Sequence, residues 1–450
     1  MGHALEAIYP YVPVWAQNLG ISLFGLAYRR ERLGGEFDRY VAGFRERDRW
    51  SKERMEEYVA TELRRVVQRA VEQVPYYRER LTVGGDLPVT PKADLRARGA
   101  EFVAADCRGR VEFYSSSGST GTPVKIAYTA ADHRRFMAAR EARSFGWAGT
   151  SIRRPRSMIG GRRVVPSGTA RAPFYRYNWA EQQVYFSAYH IAQANVADYV
   201  AGFNKYRPEL LTGYAYSHYL LARMMVAQGL TLEYEPKAAV LSSEKLTAEM
   251  KRVIRQALRV RAFEEYGAVE NCLLATECEA GRLHVSPDFG VVEIVDAAGK
   301  PVPPGVEGRV VCTALLSEAQ PLIRYEIGDV AVWAKEECPC GRSQLPVLEE
   351  VVGRLEDVVV GPDGRELVRF HWVFMDLPNV VEGQVVQEAV DRLTLKLVTR
   401  EGFGAAEERM IRERFAERLG PVQLVIERVS EIPRTERGKF RAVISKVKRP

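Results

Sequence analysis

Cysteine is scarce in this chain, with six among 450 residues. That scarcity excludes a disulfide-built scaffold and fits a reducing compartment, so a cytoplasmic protein is expected. No apolar run approaches the roughly 20 residues that cross a bilayer. The first 20 residues hold no basic segment followed by a long apolar core, so no secretory signal is expected either. Charge of one sign is lacking too: 65 Lys and Arg against 58 Asp and Glu leave +7. The arginines interleave with acids and no aromatic–basic recognition module is evident, so nucleic acid is not an expected partner. A modest positive balance suits an anionic small molecule. What remains is an ordinary globular composition, 46% apolar and 27% charged, long enough for two to three domains at about 150 residues each.

The first hundred residues read as largely helical, with Met55, Tyr58, Val59, Leu63 and Val66 at helical spacing. The apolar tract from Ala4 to Tyr28 is expected to pack as an arm against the core, with a membrane surface as the rarer alternative. Thr90 is placed to cap a helix, and Val111 to Tyr114 reads as a short strand. The Arg-, Gly- and Pro-dense stretch Ser151–Arg171 reads as an exposed loop. Helical patches and apolar runs such as Ala238–Leu241 then alternate, as in an α/β fold. Strand patterns follow over 283–333. Beyond Gly353 come an alternating strand (Leu393–Val398), an amphipathic helix (Ala405–Leu419) and another strand. The expected domains are 1–353 and 354–450, the second a small α+β unit.

The sharpest motif is Ser115-Ser-Ser-Gly-Ser-Thr-Gly-Thr-Pro-Val-Lys125. Gly118 and Gly121 free the backbone to turn N–H groups toward an anion, and Ser116, Ser117, Ser119 and Thr120 add hydroxyls. A flexible linker would not be expected between two strand-like segments. The tract lacks the Gly-Lys-[Ser/Thr] ending of the kinase-type P-loop. It resembles instead the phosphate-binding loop of the adenylate-forming superfamily of acyl-CoA synthetases, adenylation domains and luciferases. Further matches follow in that family's order as far as Lys439, and the phenylacetate–CoA ligase group, with its capsule-associated members, is the most similar branch.

The resemblance assigns roles residue by residue. In Glu264-Glu-Tyr-Gly-Ala-Val-Glu270 it implies Tyr266 and Gly267 beside adenine and Glu270 near Mg²⁺, with Val269 standing where the family has Thr. Val240-Leu-Ser-Ser-Glu244 resembles the segment lining the adenine and acyl pockets, through Ser243 and Glu244, although Ser243 as a helix cap reads equally well. In Tyr325-Glu-Ile-Gly-Asp329 the aspartate would take the ribose hydroxyls, its two acceptors suiting a vicinal diol, and Ile327 replaces the usual Thr. Gly353-Arg-Leu-Glu-Asp357 resembles the hinge motif, with Arg354 near the ribose and Glu356 at the pivot. Pro433-Arg-Thr-Glu-Arg-Gly-Lys439 resembles the loop of the catalytic lysine, which bridges carboxylate and α-phosphate. Lys125 closes the phosphate loop.

Cys278, His284, Cys338 and Cys340 form a Cys₃His set of the kind that closes around structural zinc. Cys107, Cys272 and Cys312 read as small core residues, and His371 as a packed histidine. The expected fold is therefore α/β, a large multi-layer N-terminal domain with a small mobile α+β lid. The implied activity is ATP- and Mg²⁺-dependent conversion of a carboxylic acid to acyl-AMP with release of pyrophosphate. Coenzyme A is the default acceptor, and an amine or a carrier-protein thiol is the alternative. Arg153, Arg154, Arg156, Arg162 and Arg163 could meet the phosphates of coenzyme A, though a solvated loop explains them as well. A non-catalytic nucleotide-binding regulator is the reading of another class, and a homodimer is compatible with the resemblance. The aromatics Phe174, Tyr175, Tyr177, Trp179, Tyr185, Phe186 and Tyr189 suit an acyl pocket or ordinary packing.

Overall fold

The computed structural model describes residues 9–115, 124–166, 169, 171–352, 359–364, 366–367, 370, 373–374, 377, 379–433 and 442–447. It divides into two compact units, 1–113 with 126–353 and 114–125 with 354–450. The architecture is a large α/β domain followed by a small α+β domain.

Helices dominate the start: α1 (Val14–Leu33), α2 (Phe37–Arg47), α3 (Lys52–Gln73), the single turn α4 (Pro75–Arg78) and α5 (Lys92–Arg98). Ser51 begins α3 by accepting the Arg54 N–H. A two-stranded pair, β1 (Glu112–Ser115) and β2 (Lys125–Tyr128), precedes α6 (Ala130–Arg140). Thr129 and Asp132 form a reciprocal capping box there, which satisfies two N–H groups that a bare helix end leaves unpaired.

Twelve strands make the main sheet: β3 (Arg156–Gly160), β4 (Tyr175–Asn178), β5 (Gln183–Ser187), β6 (Leu210–Tyr214), β7 (Ala238–Ser242), β8 (Ala262–Gly267), β9 (Leu274–Glu277), β10 (Leu283–Val285), β11 (Gly290–Val295), β12 (Glu307–Ala314), β13 (Tyr325–Trp333) and β14 (Val347–Val351). Their order is β11-β12-β13-β14-β10-β9-β8-β7-β6-β3-β5-β4. The central run β8-β7-β6-β3-β5 is parallel, and it is joined through α7 (Val196–Tyr206), α8 (Ala215–Ala227) and α9 (Ala248–Leu258). Its strands read as near-continuous apolar runs because helices cover the sheet; Leu210, Leu211, Ala238, Ala239 and Leu241 are all fully buried. Antiparallel strands extend the sheet on both sides.

Three sequence readings are corrected. The stretch 151–171 is not simply an exposed loop, because it contains β3, paired on both edges. Its arginine misled: Arg156 is buried and bonded to Glu181 at 2.8 Å, so it is not free for a phosphate. Thr90 does not cap α5. Pro91 holds the N-cap position, while the Thr90 hydroxyl donates to the Ile323 carbonyl at 2.7 Å. Cys107 is half-buried, whereas Cys272 and Cys312 are core residues. The aromatics after Gly160 are largely packing elements. Phe186 stacks on Phe203 and Tyr177 on Tyr206, both with ring centroids 4.2 Å apart.

The second unit holds β15 (Val359–Val360), β16 (Glu366–Leu367), β17 (Val380–Ala389), β18 (Arg392–Thr399), α10 (Ala405–Leu419), β19 (Gln423–Arg428) and β20 (Val443–Ser445). Its four-stranded sheet runs β19-β18-β17-β20. Leu393, Leu395 and Leu397, on one face of β18 by the period of two, share a core with Ile411, Phe415 and Leu419 of α10.

Candidate functional site

Parallel strands leave a crevice at their carboxyl ends, where following loops can hold a ligand. Here β6, β7 and β8 end at Tyr214, Ser242 and Gly267. Ser243 leaves β7 with φ of 78°, a left-handed conformation that costs a non-glycine residue about 1–3 kcal/mol. It is not a helix cap: Thr247 starts α9 by accepting the Met250 N–H. Glu244 reaches sideways and accepts the Tyr216 N–H at 3.0 Å, tying the loop after β7 to the start of α8.

The next two motifs meet. Tyr266, at the end of β8, donates its hydroxyl to Asp329 Oδ2 at 2.9 Å. Burial first, and then the Asp329 carboxylate, push the phenol well above its ordinary range, so it stays a donor. Asp329 follows Gly328, whose φ of 92° places it where the β12–β13 register shifts; such an irregularity re-aims the next side chain. Three residues beyond Gly267, Glu270 is buried and accepts from Lys92 Nζ at 3.1 Å and from the Tyr325 hydroxyl at 3.3 Å. Lys92 Nζ also donates to the Ile327 carbonyl at 3.1 Å. Sequence reading missed this lysine. Its signal was Lys92 after the Thr90-Pro91 break, two residues past the short bridge that Thr90 makes with Tyr325.

Arg140 clamps Glu265 with bonds of 3.0 and 2.6 Å, and burial raises the Glu264 carboxyl. Ile327, standing where a hydroxyl residue was expected, is buried. Lys125 is exposed on β2. Ser116, Ser117, Gly118, Ser119, Thr120, Gly121, Arg354, Glu356, His371 and Lys439 lie outside the described residues.

Cys278, His284, Cys338 and Cys340 come together, with all four ligand atoms within 4.8 Å of one another. Cys278 follows β9, His284 lies on β10, and the last two occupy the loop between β13 and β14. Turns at Gly281 and Gly341, with φ of 79° and 82°, bring the loops round. The Cys278 and Cys338 sulfurs are 3.6 Å apart, and Cys340 Sγ lies 3.3 Å from His284 Nε2. A disulfide would need about 2.05 Å. Two thiolates on one tetrahedral zinc, each at about 2.3 Å, stand roughly 3.7 Å apart. His284 Nδ1 lies 2.8 Å from the Leu345 carbonyl, the outer bond that fixes a ligand tautomer and leaves Nε2 for metal. Burial holds the His284 pKa below its ordinary value, favouring the neutral ring a metal needs. The set fits a structural zinc.

A buried ion cluster backs this centre. Asp288 takes Arg143 at 2.5 and 3.1 Å and Arg47 at 2.5 Å, and Asp48 takes Arg143 at 2.8 Å. Trp147 donates to Asp48 at 3.0 Å and meets the His284 ring edge-on.

These features define a two-unit α/β protein with strand-end loops that converge on two carboxylates and a tyrosine. The family model of the CapK C-terminal domain matches residues 360–446. Protein CapK of Staphylococcus aureus is 26% identical over 464 aligned residues, spanning 99% of this chain and 100% of that protein. Phenylacetate-coenzyme A ligase of Thermus thermophilus is 28% identical over 431 residues, spanning 85% of this chain and 94% of that one. Among solved structures, 2-hydroxyisobutyryl-CoA ligase with 2-HIB-AMP and CoA in its thioesterification state shares the fold, with a TM-score of 0.58 at 21% identity over 88% of this chain and 90% of that one. Along most of its length the chain is thus similar to CapK and to a phenylacetate-coenzyme A ligase, and it shares the fold of an acyl-CoA ligase.

Proposed function

We propose that this protein is an AMP-forming carboxylate ligase that passes its acyl group to coenzyme A. The observation that carries the reading is the Tyr266–Asp329 bond beside the Glu270–Lys92 pair. It sets an aromatic ring and two carboxylates on neighbouring loops at the strand ends, and these groups suit an adenine, a vicinal diol and a hard cation. The full-length similarity to CapK and to a phenylacetate-coenzyme A ligase supports it, as does the fold shared with a ligase that carries an acyl-AMP and CoA.

In this reading ATP binds with its adenine on Tyr266 and Gly267 and its ribose on Asp329 and Arg354. Ser243 and Glu244 border the same crevice. The phosphates lie on the Ser116–Gly121 loop and Lys125, and Glu270 offers the oxygen ligand that Mg²⁺ prefers. A carboxylate oxygen of the acid attacks the α-phosphorus and pyrophosphate leaves. This step needs alignment and charge neutralisation more than covalent help, and Lys439 supplies the neutralising charge. The 354–450 unit acts as a lid turning at Glu356, removing Lys439 and admitting the acceptor. The coenzyme A sulfur then attacks the acyl carbon and AMP leaves. Cys278, His284, Cys338 and Cys340 would hold a zinc whose contribution would be structural, fastening their loops, because four protein ligands would leave no open position for substrate or water.

The test is pyrophosphate release with ATP and Mg²⁺ across aryl, fatty and amino acids, with and without coenzyme A. Release that depends on one acid, rises with coenzyme A and collapses in Lys439→Ala supports the reading. Stimulation by an amine or a carrier protein instead would reassign the acceptor. ATP binding without release from any acid would favour a regulator.

A further inference from the structure

Helix α1 is polar inside and apolar outside. Its inner arc is bound by hydrogen bonds to β4, the last strand of the main sheet, whose edge would otherwise present unpaired backbone groups. Asn18 Oδ1 accepts the Tyr177 N–H at 3.0 Å, and Ser22 Oγ accepts the Trp179 N–H at 3.1 Å. Gln17 takes Arg176. Arg32 pairs with Glu181, the carboxylate shared with Arg156. A side chain at Gly25 would run into Asn178, so helix and strand touch there. The arm expected to pack on the core therefore does so, but through its polar residues.

The outer arc is consequently left with the large apolar side chains. Trp15 is 70% exposed, Leu19 44%, Leu23 57%, Phe24 49% and Leu26 48%, with Tyr11 at 89% just before the helix and Trp179 at 50% beside it. Residues 15, 19, 23, 26 and 30 recur at helical spacing, so four apolar side chains and Arg30 form one stripe. From Ala7 to Tyr28 there is no Asp, Glu, Lys or Arg, although 27% of the chain is charged. Arg29 and Arg30 follow, both exposed, and the exposed Arg162 lies over the Tyr28 ring at 5.2 Å. Contiguous apolar exposure of this kind marks a surface that is covered in use.

We propose that α1 is an interfacial membrane anchor, its outer face lying in the headgroup–acyl boundary of an anionic bilayer. Leucines and a phenylalanine for the acyl side, Trp and Tyr at its wet margin, and arginines for lipid phosphates are the chemistry such a boundary requires. The helix lies on the membrane rather than crossing it: among the described residues no helix is long and apolar enough to span one. A second copy of this chain is the poorer occupant. Self-pairing sets the same patch against itself, and the stripe itself carries one cation, Arg30, and no acid to receive a second copy's arginine. The anchor stands independently of the ligase reading.

The full chain would be sedimented with vesicles of phosphatidylcholine alone or of equal parts phosphatidylcholine and phosphatidylglycerol. Binding to the anionic vesicles that falls with added salt is expected. The double variant Leu19→Glu/Leu23→Glu should weaken it at least ~10-fold, and Arg30→Gln about fivefold. Both variants should keep the wild-type denaturation midpoint, since these side chains are exposed. Three results would overturn the proposal: no binding to the anionic vesicles, equal binding by the double variant, or a dimer in ultracentrifugation that the double variant dissolves while lipid binding is absent.

Discussion

Asp288→Asn removes one negative charge from the middle of the buried ion cluster and changes almost nothing in shape. The carboxylate and the Arg143 guanidinium are both fully buried, and the Arg47 side chain is nearly so. Burial alone would raise the Asp288 pKa, but Arg143 and Arg47, by charge and then by hydrogen bonds, outweigh it and hold the carboxyl below its ordinary value of 3.8. After substitution, Arg143 keeps only the Asp48 carboxylate, Arg47 loses its carboxylate partner, and an amide N–H₂ faces a guanidinium. Breaking a buried pair in this way typically costs about 3–5 kcal/mol, because the surviving charge stays desolvated. Urea unfolding followed by tryptophan fluorescence is the assay, since Trp147 bonds to Asp48 itself. A lowered folded pKa makes the Asp288 contribution complete above the unfolded value and lost as pH falls through the folded one. The difference between wild type and variant should therefore stay constant from pH 8 to about 5 and shrink only below about 4. A loss under about 1 kcal/mol, or a difference that titrates near pH 6, would refute the reasoning.

Purified protein should carry about one zinc per chain by elemental analysis, and Cys278→Ser should weaken zinc affinity at least ~100-fold; a metal-free protein whose denaturation midpoint ignores chelator would count against the site. Lys92→Met should cost about 2 kcal/mol by leaving buried Glu270 with only the Tyr325 hydroxyl, and Lys92→Met/Glu270→Gln should recover most of it; additive losses in the double variant would mean the two side chains are not coupled.

The sequence was most legible where periodicity and burial agree. The alternating Leu393–Val398 run is a strand because its leucines face one core, and Ala405–Leu419 has the bounds its pattern suggested. Thr90 failed as a cap because Pro91 took the N-cap position, and the Thr90 hydroxyl bonded across the fold to Ile323. No local pattern encodes that partner 233 residues away. The strand at Arg156–Gly160 was hidden by an arginine whose acid, Glu181, comes from another strand's turn. Helix α1 was read as apolar and so as core-facing, yet edge-strand N–H groups claimed its polar side. The Cys₃His set was readable from residue type, since few sequences gather those ligands by chance, but its assembly depends on β10 pairing with both β9 and β14.

Equilibrium binding of ATP·Mg²⁺ by calorimetry, in wild type and in Asp329→Asn, tests the central claim most directly because it needs no knowledge of the acid. One site per chain is expected, weakened at least ~10-fold by the substitution, since a carboxylate accepting both ribose hydroxyls contributes about 1.5–3 kcal/mol per charged hydrogen bond. No ATP binding by the wild type, or equal affinity in the two proteins, would contradict it.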